Sequence, residues 1–115
     1  MKVDKNLTAT AVSSLFLNDA TSDIAASGTG SIGLTGSLNT VLVAGASIKT
    51  VDGALSISSN EFTATAGNFI GVDVNGGTIQ VTGSGALSVT GRGGDTLANN
   101  YGVYVRNAGV IQGGS

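Results

Sequence analysis

Three short alternating runs fill residues 72–90, VDVNGGTIQVTGSGALSVT. In each run the apolar side chains occupy every second position, and Gly, Asn or Ser separates one run from the next. Side chains alternate between two faces along a β-strand, so this spacing is typical of short strands with one buried face. Gly and Asn accept the backbone conformations that sharp corners need. Residues 72–90 therefore predict three strands joined by tight corners.

The same runs recur once before and once after this stretch. The aligned segments are 41–43, 72–74 and 103–105 for the first strand, 47–49, 78–80 and 110–112 for the second, and 54–58 and 86–90 for the third. A more degenerate copy lies upstream, at residues 15–17, 24 and 31–34. Self-similarity at a fixed period indicates a repeat architecture in which successive copies stack on one another.

A parallel β-helix accounts for this repeat better than a β-hairpin meander does. Both contain short strands and Gly-rich turns, but stacked coils place equivalent strands one full repeat apart. We therefore expect an all-β fold, a right-handed parallel β-helix (solenoid) of about four coils with a repeat of about 31 residues. The repeats are expected to occupy residues 15–115 with an incomplete last coil, and residues 1–14 to form an N-terminal segment or cap.

Positions that stay apolar in the aligned copies are expected to point into the core. In the first strand the flanking residues are always Val, whereas the middle residue is Leu42, Asp73 or Tyr104. These middle residues share neither size nor polarity, so they are expected to face outward. The predicted core residues are Val41, Val43, Ile48, Leu55, Ile57, Val72, Val74, Ile79, Leu87, Val89, Val103, Val105 and Ile111.

The composition argues against several classes of function. Of the 115 residues 10% are charged and 4% are aromatic, with a net charge of −2, so a nucleic-acid-binding surface is not expected. The absence of Cys and His removes disulfides, thiolate metal sites and the commonest general base. No apolar run approaches the roughly 18 residues of a membrane helix, and the start of the chain lacks the apolar stretch of a signal peptide. We expect one domain without membrane insertion, catalytic residues or a cofactor.

One Gly-rich segment resembles a calcium-binding repeat. Residues 91–97, GRGGDTL, fit the pattern G-x-G-x-D-x-L of calcium-binding β-rolls, in which carboxylates and carbonyls of successive turns share each ion. That chemistry needs tandem copies, and this sequence has one. A Gly-rich corner is the favoured interpretation, and Asp95 is the candidate calcium ligand.

Four carboxylates are candidates for a catalytic pair, because enzymes that cleave glycosidic bonds use paired carboxylates. Asp52 is expected at a corner and Asp73 on the outer face of a strand. Glu61 and Asp95 fall in the segment that varies between repeats, which would place them on one side of neighbouring coils. Solvated charges are the favoured interpretation, and a catalytic pair is the alternative.

Two further sets of side chains recur in register. Tyr104 and Arg106 lie two residues apart and are expected to share an outward face, with a composition that is enriched at protein interfaces. Asn68 and either Asn99 or Asn100 are one repeat apart. They are expected to form a ladder of amide hydrogen bonds along one corner, which would be structural.

The segments GALSVTG at 85–91 and NNYGVYV at 99–105, followed by VIQ at 110–112, resemble the repeat units of large bacterial surface proteins. These are the β-strand repeat proteins of the filamentous-haemagglutinin-like and autotransporter-passenger β-helix type. The resemblance covers residues 41–115. It implies an exported, cell-surface or extracellular filament that serves in adhesion or as a structural stalk.

The ends of the predicted solenoid favour self-association. Residues 112–115 stop partway through a coil and carry no charged cap. An uncapped end has unpaired backbone groups, and residues 3–12 are expected to complete that coil in a neighbour. The expected function is therefore a non-enzymatic structural protein whose partner is a second copy, head to tail, or the remaining repeats of a longer chain. A glycan is the other partner considered, and the alternative function is a carbohydrate-active enzyme or a glycan-binding module.

Overall fold

The computed structural model of the chain describes residues 2–3, 5–62 and 64–114, so the expectations that touch Met1, Asp4, Thr63 and Ser115 lie outside the described residues. Within the described ranges the regular structure consists of thirteen short β-strands. In chain order they are β1 (Lys2–Val3), β2 (Leu7–Ala11), β3 (Leu15–Leu17), β4 (Asp23–Ala26), β5 (Ile32–Gly36), β6 (Thr40–Leu42), β7 (Ser47–Thr50), β8 (Leu55–Ser59), β9 (Val72–Asn75), β10 (Thr78–Val81), β11 (Leu87–Gly91), β12 (Val103–Arg106) and β13 (Val110–Gln112).

The strands form three parallel sheets. The first sheet has the order β1-β4-β7-β10-β13, the second β2-β5-β8-β11 and the third β3-β6-β9-β12. Consecutive strands along the chain therefore belong to different sheets, and each strand pairs with the one three strands later. This topology is compatible with a parallel β-solenoid, and the molecule is elongated, with extents of 42 × 28 × 24 Å.

The spacing between stacked residues changes along the chain, which corrects the expectation of a constant repeat. Near the start, the Ser31 amide donates to Asn6 at a sequence separation of 25. Further along, the Ser84 amide donates to Asp52 at a separation of 32. The difference lies between the second and third sheets, where residues 12–14 and 37–39 are replaced by the longer corners 60–71 and 92–102. We call these two longer segments the corner inserts.

The core is a column of apolar side chains enclosed by the three sheets. Fully buried members include Ile48, Ile57, Val72 and Ile79. In the first sheet Ile24, Ile48, Ile79 and Ile111 follow one another in register across four strands. Like side chains thus stack on one another, and each level buries apolar area against the levels next to it.

The structure corrects two predicted core residues, Val41 and Val43. Thr40 pairs with Val72 and Leu42 with Val74, so the register differs by one residue from the alignment of Val with Val. A shift of one residue moves every side chain to the other face of a strand. Thr40 and Leu42 are therefore buried, and Val41 and Val43 are only partly covered. Thr40 is accommodated because its hydroxyl forms a 2.8 Å hydrogen bond with the buried hydroxyl of Ser59.

Five other predicted core residues point inward yet keep exposed surface, because they lie on the last strand of a sheet. Val103 pairs with Val72 and Val105 with Val74, but they are 39% and 41% exposed. The other three, Leu87, Val89 and Ile111, are partly buried.

The expected boundary at residue 14 does not divide the sheets. β1 pairs with β4, and β2 pairs with β5 along its whole length. Residues before position 14 therefore continue the same sheets and form their first strands.

Candidate functional site

The three sheets present outer faces of different chemistry. The outer face of the second sheet is uncharged and, apart from Gly33, carries hydroxyl groups in two straight rows: Thr8, Ser56 and Ser88 in one, and Thr10, Thr35, Ser58 and Thr90 in the other. The first sheet presents Lys49, Gln80 and Gln112 in register, and the Gln80 amide donates to Gln112 Oε1 over 3.2 Å.

The third sheet presents an ion pair and aromatic rings on its outer face. Arg106 donates from Nε to Asp73 Oδ1 over 3.0 Å and from its terminal nitrogen to Asp73 Oδ2 over 2.6 Å. The guanidinium also lies over the ring of Tyr104, 5.4 Å from its centre. The Tyr101 ring is 4.7 Å from that of Tyr104. The sequence placed Tyr104 and Arg106 on one face but missed Tyr101 and the role of Asp73.

The Asp73 carboxylate fixes the position of the Arg106 guanidinium. Hydrogen bonding to the Asp73 carboxylate, supported by its charge, raises the pKa of Arg106 above its ordinary value. Asp73 itself is nearly buried, at 7% exposed. A two-point charge-assisted contact of this kind has strict geometry, so it holds β12 and the Tyr104 ring in place on β9.

Two of the other candidate carboxylates, Asp52 and Asp95, also bind to the chain itself. Asp52 accepts hydrogen bonds from the backbone and the hydroxyl of Ser84, at 2.9 and 3.0 Å, and these lower the pKa of Asp52. Asp95 accepts one from the Gly67 backbone at 3.0 Å. Both contacts join residues about one repeat apart, so they tie neighbouring levels of the stack together.

The two corner inserts are held to each other by backbone hydrogen bonds. The amides of Asp95 and Thr96 both donate to the Gly67 carbonyl, and the Phe69 amide donates to Asn100 Oδ1 over 2.8 Å. The amide of Asn60, which is buried, donates to carbonyls of both inserts at 3.3–3.5 Å. The structure thus brings the Glu61 and Asp95 segments side by side, as the sequence predicted.

The predicted ladder of Asn68 with Asn99 or Asn100 is replaced by other amide contacts. Asn100 bonds to the backbone of the inserts. An asparagine pair forms instead between Asn107 and Asn75, whose side chains are joined over 2.6 Å at the corner between the third and first sheets.

A small cavity lies at the base of the first insert. It has a volume of about 120 Å³ and is lined by Gly36, Ser37, Asn60, Glu61, Phe62 and Thr65. Phe62 is largely exposed at its rim. Among the residues that the structure describes, no three His, Cys, Asp or Glu side chains gather into a metal site. Calcium binding at Asp95 stays a prediction.

Exposed apolar side chains are concentrated at the two ends of the molecule. We call β1, β2, β3 and residues 12–14 the N-terminal end, and β11, β12, β13 and the insert 92–102 the C-terminal end. In the described part of the chain, the large exposed apolar residues are Val12, Phe16, Val51, Phe62, Leu97, Tyr101, Val103, Tyr104, Val105 and Val110. All of them except Val51 and Phe62 belong to one of the two ends.

The strands at these ends also have free edges. Each is the outermost strand of its sheet, and pairs on one side with the described chain. An outermost strand exposes a row of backbone N–H and C=O groups that favours pairing with another chain. In the part of the chain that the structure describes, the two ends therefore combine outermost strand edges with exposed apolar side chains.

No known protein family, curated protein or solved structure matches this chain. Within the described ranges there is also no helix with the length and apolar character needed to cross a bilayer.

Proposed function

We propose that the chain is a non-enzymatic structural β-solenoid, right-handed and about four coils tall, that associates end to end with copies of itself into a filament. The observation that carries this proposal is the concentration of exposed apolar side chains and free strand edges at the two ends. The resemblance to bacterial β-strand repeat proteins supports a cell-surface or extracellular location, as a filament or as part of an adhesin stalk.

The two ends are complementary because the sheets are parallel. Translation along the stack superimposes each strand on the next, so the edge of β11 matches the edge that β2 presents, and β12 likewise matches β3. In the first sheet, which has five strands, β13 lies where β1 of the next copy would follow, so β1 is displaced and β13 pairs with β4 of that copy. A contact between two different surfaces of the same molecule is head-to-tail, and without rotational closure it generates an open filament.

The free energies of apolar burial and of association indicate which interactions must hold such a junction together. Full burial of a Val or Leu side chain contributes about 1.5–3 kcal/mol, so covering the 39% and 41% of Val103 and Val105 that is exposed contributes roughly 1 kcal/mol each. Association of two molecules costs about 4–15 kcal/mol. Apolar burial at these two positions is therefore insufficient, and backbone pairing along all three sheets has to supply the remainder.

The carboxylates favour this structural role over the carbohydrate-active alternative. Asp52, Asp73 and Asp95 all accept hydrogen bonds from groups in neighbouring levels of the stack. A glycan-binding role retains one supporting feature, the cavity beside Glu61 and the exposed Phe62 ring.

Sedimentation of the purified chain over a range of concentrations tests the proposal. We expect wild-type protein to form large assemblies as its concentration rises. Val105→Lys places a charge in the C-terminal end and is expected to keep the protein monomeric. Ser56→Lys adds the same charge on an exposed position of β8, away from both ends, and is expected to assemble normally. A monomer at every concentration in the wild type would contradict the proposal.

A further inference from the structure

We infer that copies join in one register, in which Phe16 of one copy lies directly beside Tyr104 of the next. This inference rests on the proposed end-to-end association and specifies how the two ends meet. It assigns a role in recognition to two exposed aromatic side chains that lie at opposite ends of one molecule.

The outer face of the third sheet carries these residues in a single row. Phe16 pairs with Val41, Val41 with Asp73 and Asp73 with Tyr104. Phe16 begins the row at the N-terminal end and is 61% exposed, and Tyr104 ends it at the C-terminal end. If the next copy continues the row, its Phe16 follows Tyr104 at one strand spacing, about 4.8 Å.

Aromatic rings at that spacing are well placed to interact. Aromatic pairs are favourable when the ring centres are about 4.5–7 Å apart. The Tyr104 ring is already fixed by Tyr101 on one side and by the Arg106 guanidinium, which the Asp73 carboxylate holds. A ring that is held in place before association loses little conformational entropy on binding.

The same register also continues the apolar core along the inner face of the third sheet. It places Leu15 beside Val103 and Leu17 beside Val105, so apolar side chains continue the core across the junction. A shift of one residue would turn both Leu side chains outward.

Exposed apolar residues at the corner between the second and third sheets also support this register. Val12 and Leu97 are among the most exposed apolar residues, at 94% and 83%, and both lie at this corner. One belongs to the N-terminal end and the other to the C-terminal end. Joining the ends in register brings both to the same corner of the junction.

Disulfide trapping tests the register directly, because the chain has no natural Cys. In the double variant Phe16→Cys with Tyr104→Cys, the two positions are three strand spacings apart within one molecule, about 14 Å, and a disulfide needs a Cα separation of about 4.4–6.8 Å. Only a junction brings them within reach. We expect mild oxidation to shift the protein from monomer to a ladder of covalent multimers on a denaturing gel.

A control variant, Asn18→Cys with Tyr104→Cys, moves one thiol two residues along the chain from Phe16 and leaves the Arg106–Asp73 ion pair intact. In our register this separates the Cα atoms by more than about 7 Å, which is too far for a disulfide. We expect it to remain monomeric on the gel. A ladder from this variant and none from the first would overturn the proposed register.

A second measurement does not depend on oxidation. Phe16→Ser is expected to raise the concentration needed for assembly about two- to tenfold through loss of the aromatic pair, and Phe62→Ser, which removes an exposed ring away from both ends, is expected to leave it unchanged. If wild-type protein assembles but Phe16→Ser does not change the concentration needed for assembly, the proposed register is wrong, and the proposed end-to-end association is not contradicted. If wild-type protein does not assemble, the proposed function itself fails.

Discussion

The Arg106 side chain joins β12 to the neighbouring strand β9 of the third sheet. Its two hydrogen bonds to Asp73 span one level of the stack, and its guanidinium covers the Tyr104 ring. Asp73 is nearly buried, so removal of its partner leaves a carboxylate with little access to solvent. One side chain thus supports both the ion pair and the aromatic group at the C-terminal end.

We predict that Arg106→Ala lowers the free energy of unfolding by about 1.5–3 kcal/mol, the range for hydrogen bonds to charged groups. Arg106→Lys is expected to recover only part of this loss, because an ammonium group cannot make the two-point contact. Urea denaturation followed by circular dichroism measures both. Equal stability of wild type and Arg106→Ala would show that the ion pair contributes nothing.

At the residue scale the sequence predicted inward positions well where an Ile recurs, as at Ile48 and Ile79. It failed at Thr40, because a polar side chain in the core cannot be recognised without its partner. That partner, Ser59, lies in another sheet at a sequence separation of 19. The alignment of Val41 with Val72 was therefore more plausible from the sequence than the true register.

Among the structural elements, the corner between the first and second sheets depends on close contact between backbones. Gly30, Gly53 and Gly85 stack there, and a Cβ atom on Gly53 would overlap the carbonyl oxygen of Gly30. Gly33 lies on the outer face of β5, and a Cβ there meets nothing within 4 Å. Gly53 is therefore needed for the close approach of neighbouring levels, whereas Gly33 has no such role.

We predict opposite results for alanine at these two positions. Gly53→Ala forces neighbouring levels apart and is expected to lower the free energy of unfolding by about 1–3 kcal/mol or more. Gly33→Ala is expected to be neutral or to stabilise by about 0.5–1 kcal/mol, since Ala loses less backbone entropy than Gly. Thermal unfolding of the two variants distinguishes them. A severe loss in Gly33→Ala, or none in Gly53→Ala, would contradict the stacked arrangement.

The strands were easier to predict than the corners that join them. Alternation of apolar residues located most of the strands, since burial of one face imposes that pattern. The corners have no such constraint, because their residues lie on the surface, where length varies freely. For that reason the sequence did not reveal that the repeat lengthens after Thr40. Thr40 pairs with Leu15 in the preceding level and with Val72 in the following level, and the second of these intervals along the chain is the longer one.

Across the whole molecule, the features that favour end-to-end association arise from the order of the sheets. The sequence indicated an uncovered C-terminal coil, but not that Phe16 and Tyr104 begin and end one row, because that relation depends on the register of four strands. Within the described residues, most of the large exposed apolar side chains lie at these two ends. The proposed junction between copies therefore lies along the stacking direction of the strands.

Electron microscopy of the purified wild-type chain tests the central claim most directly. Five stacked strands about 4.8 Å apart span only about 19 Å, so the 42 Å extent of the molecule lies across the stack. End-to-end association therefore predicts long unbranched fibres one molecule wide, with strands about 4.8 Å apart along the fibre axis. Separate particles no larger than one molecule, 42 Å in its longest extent, at every concentration would contradict it.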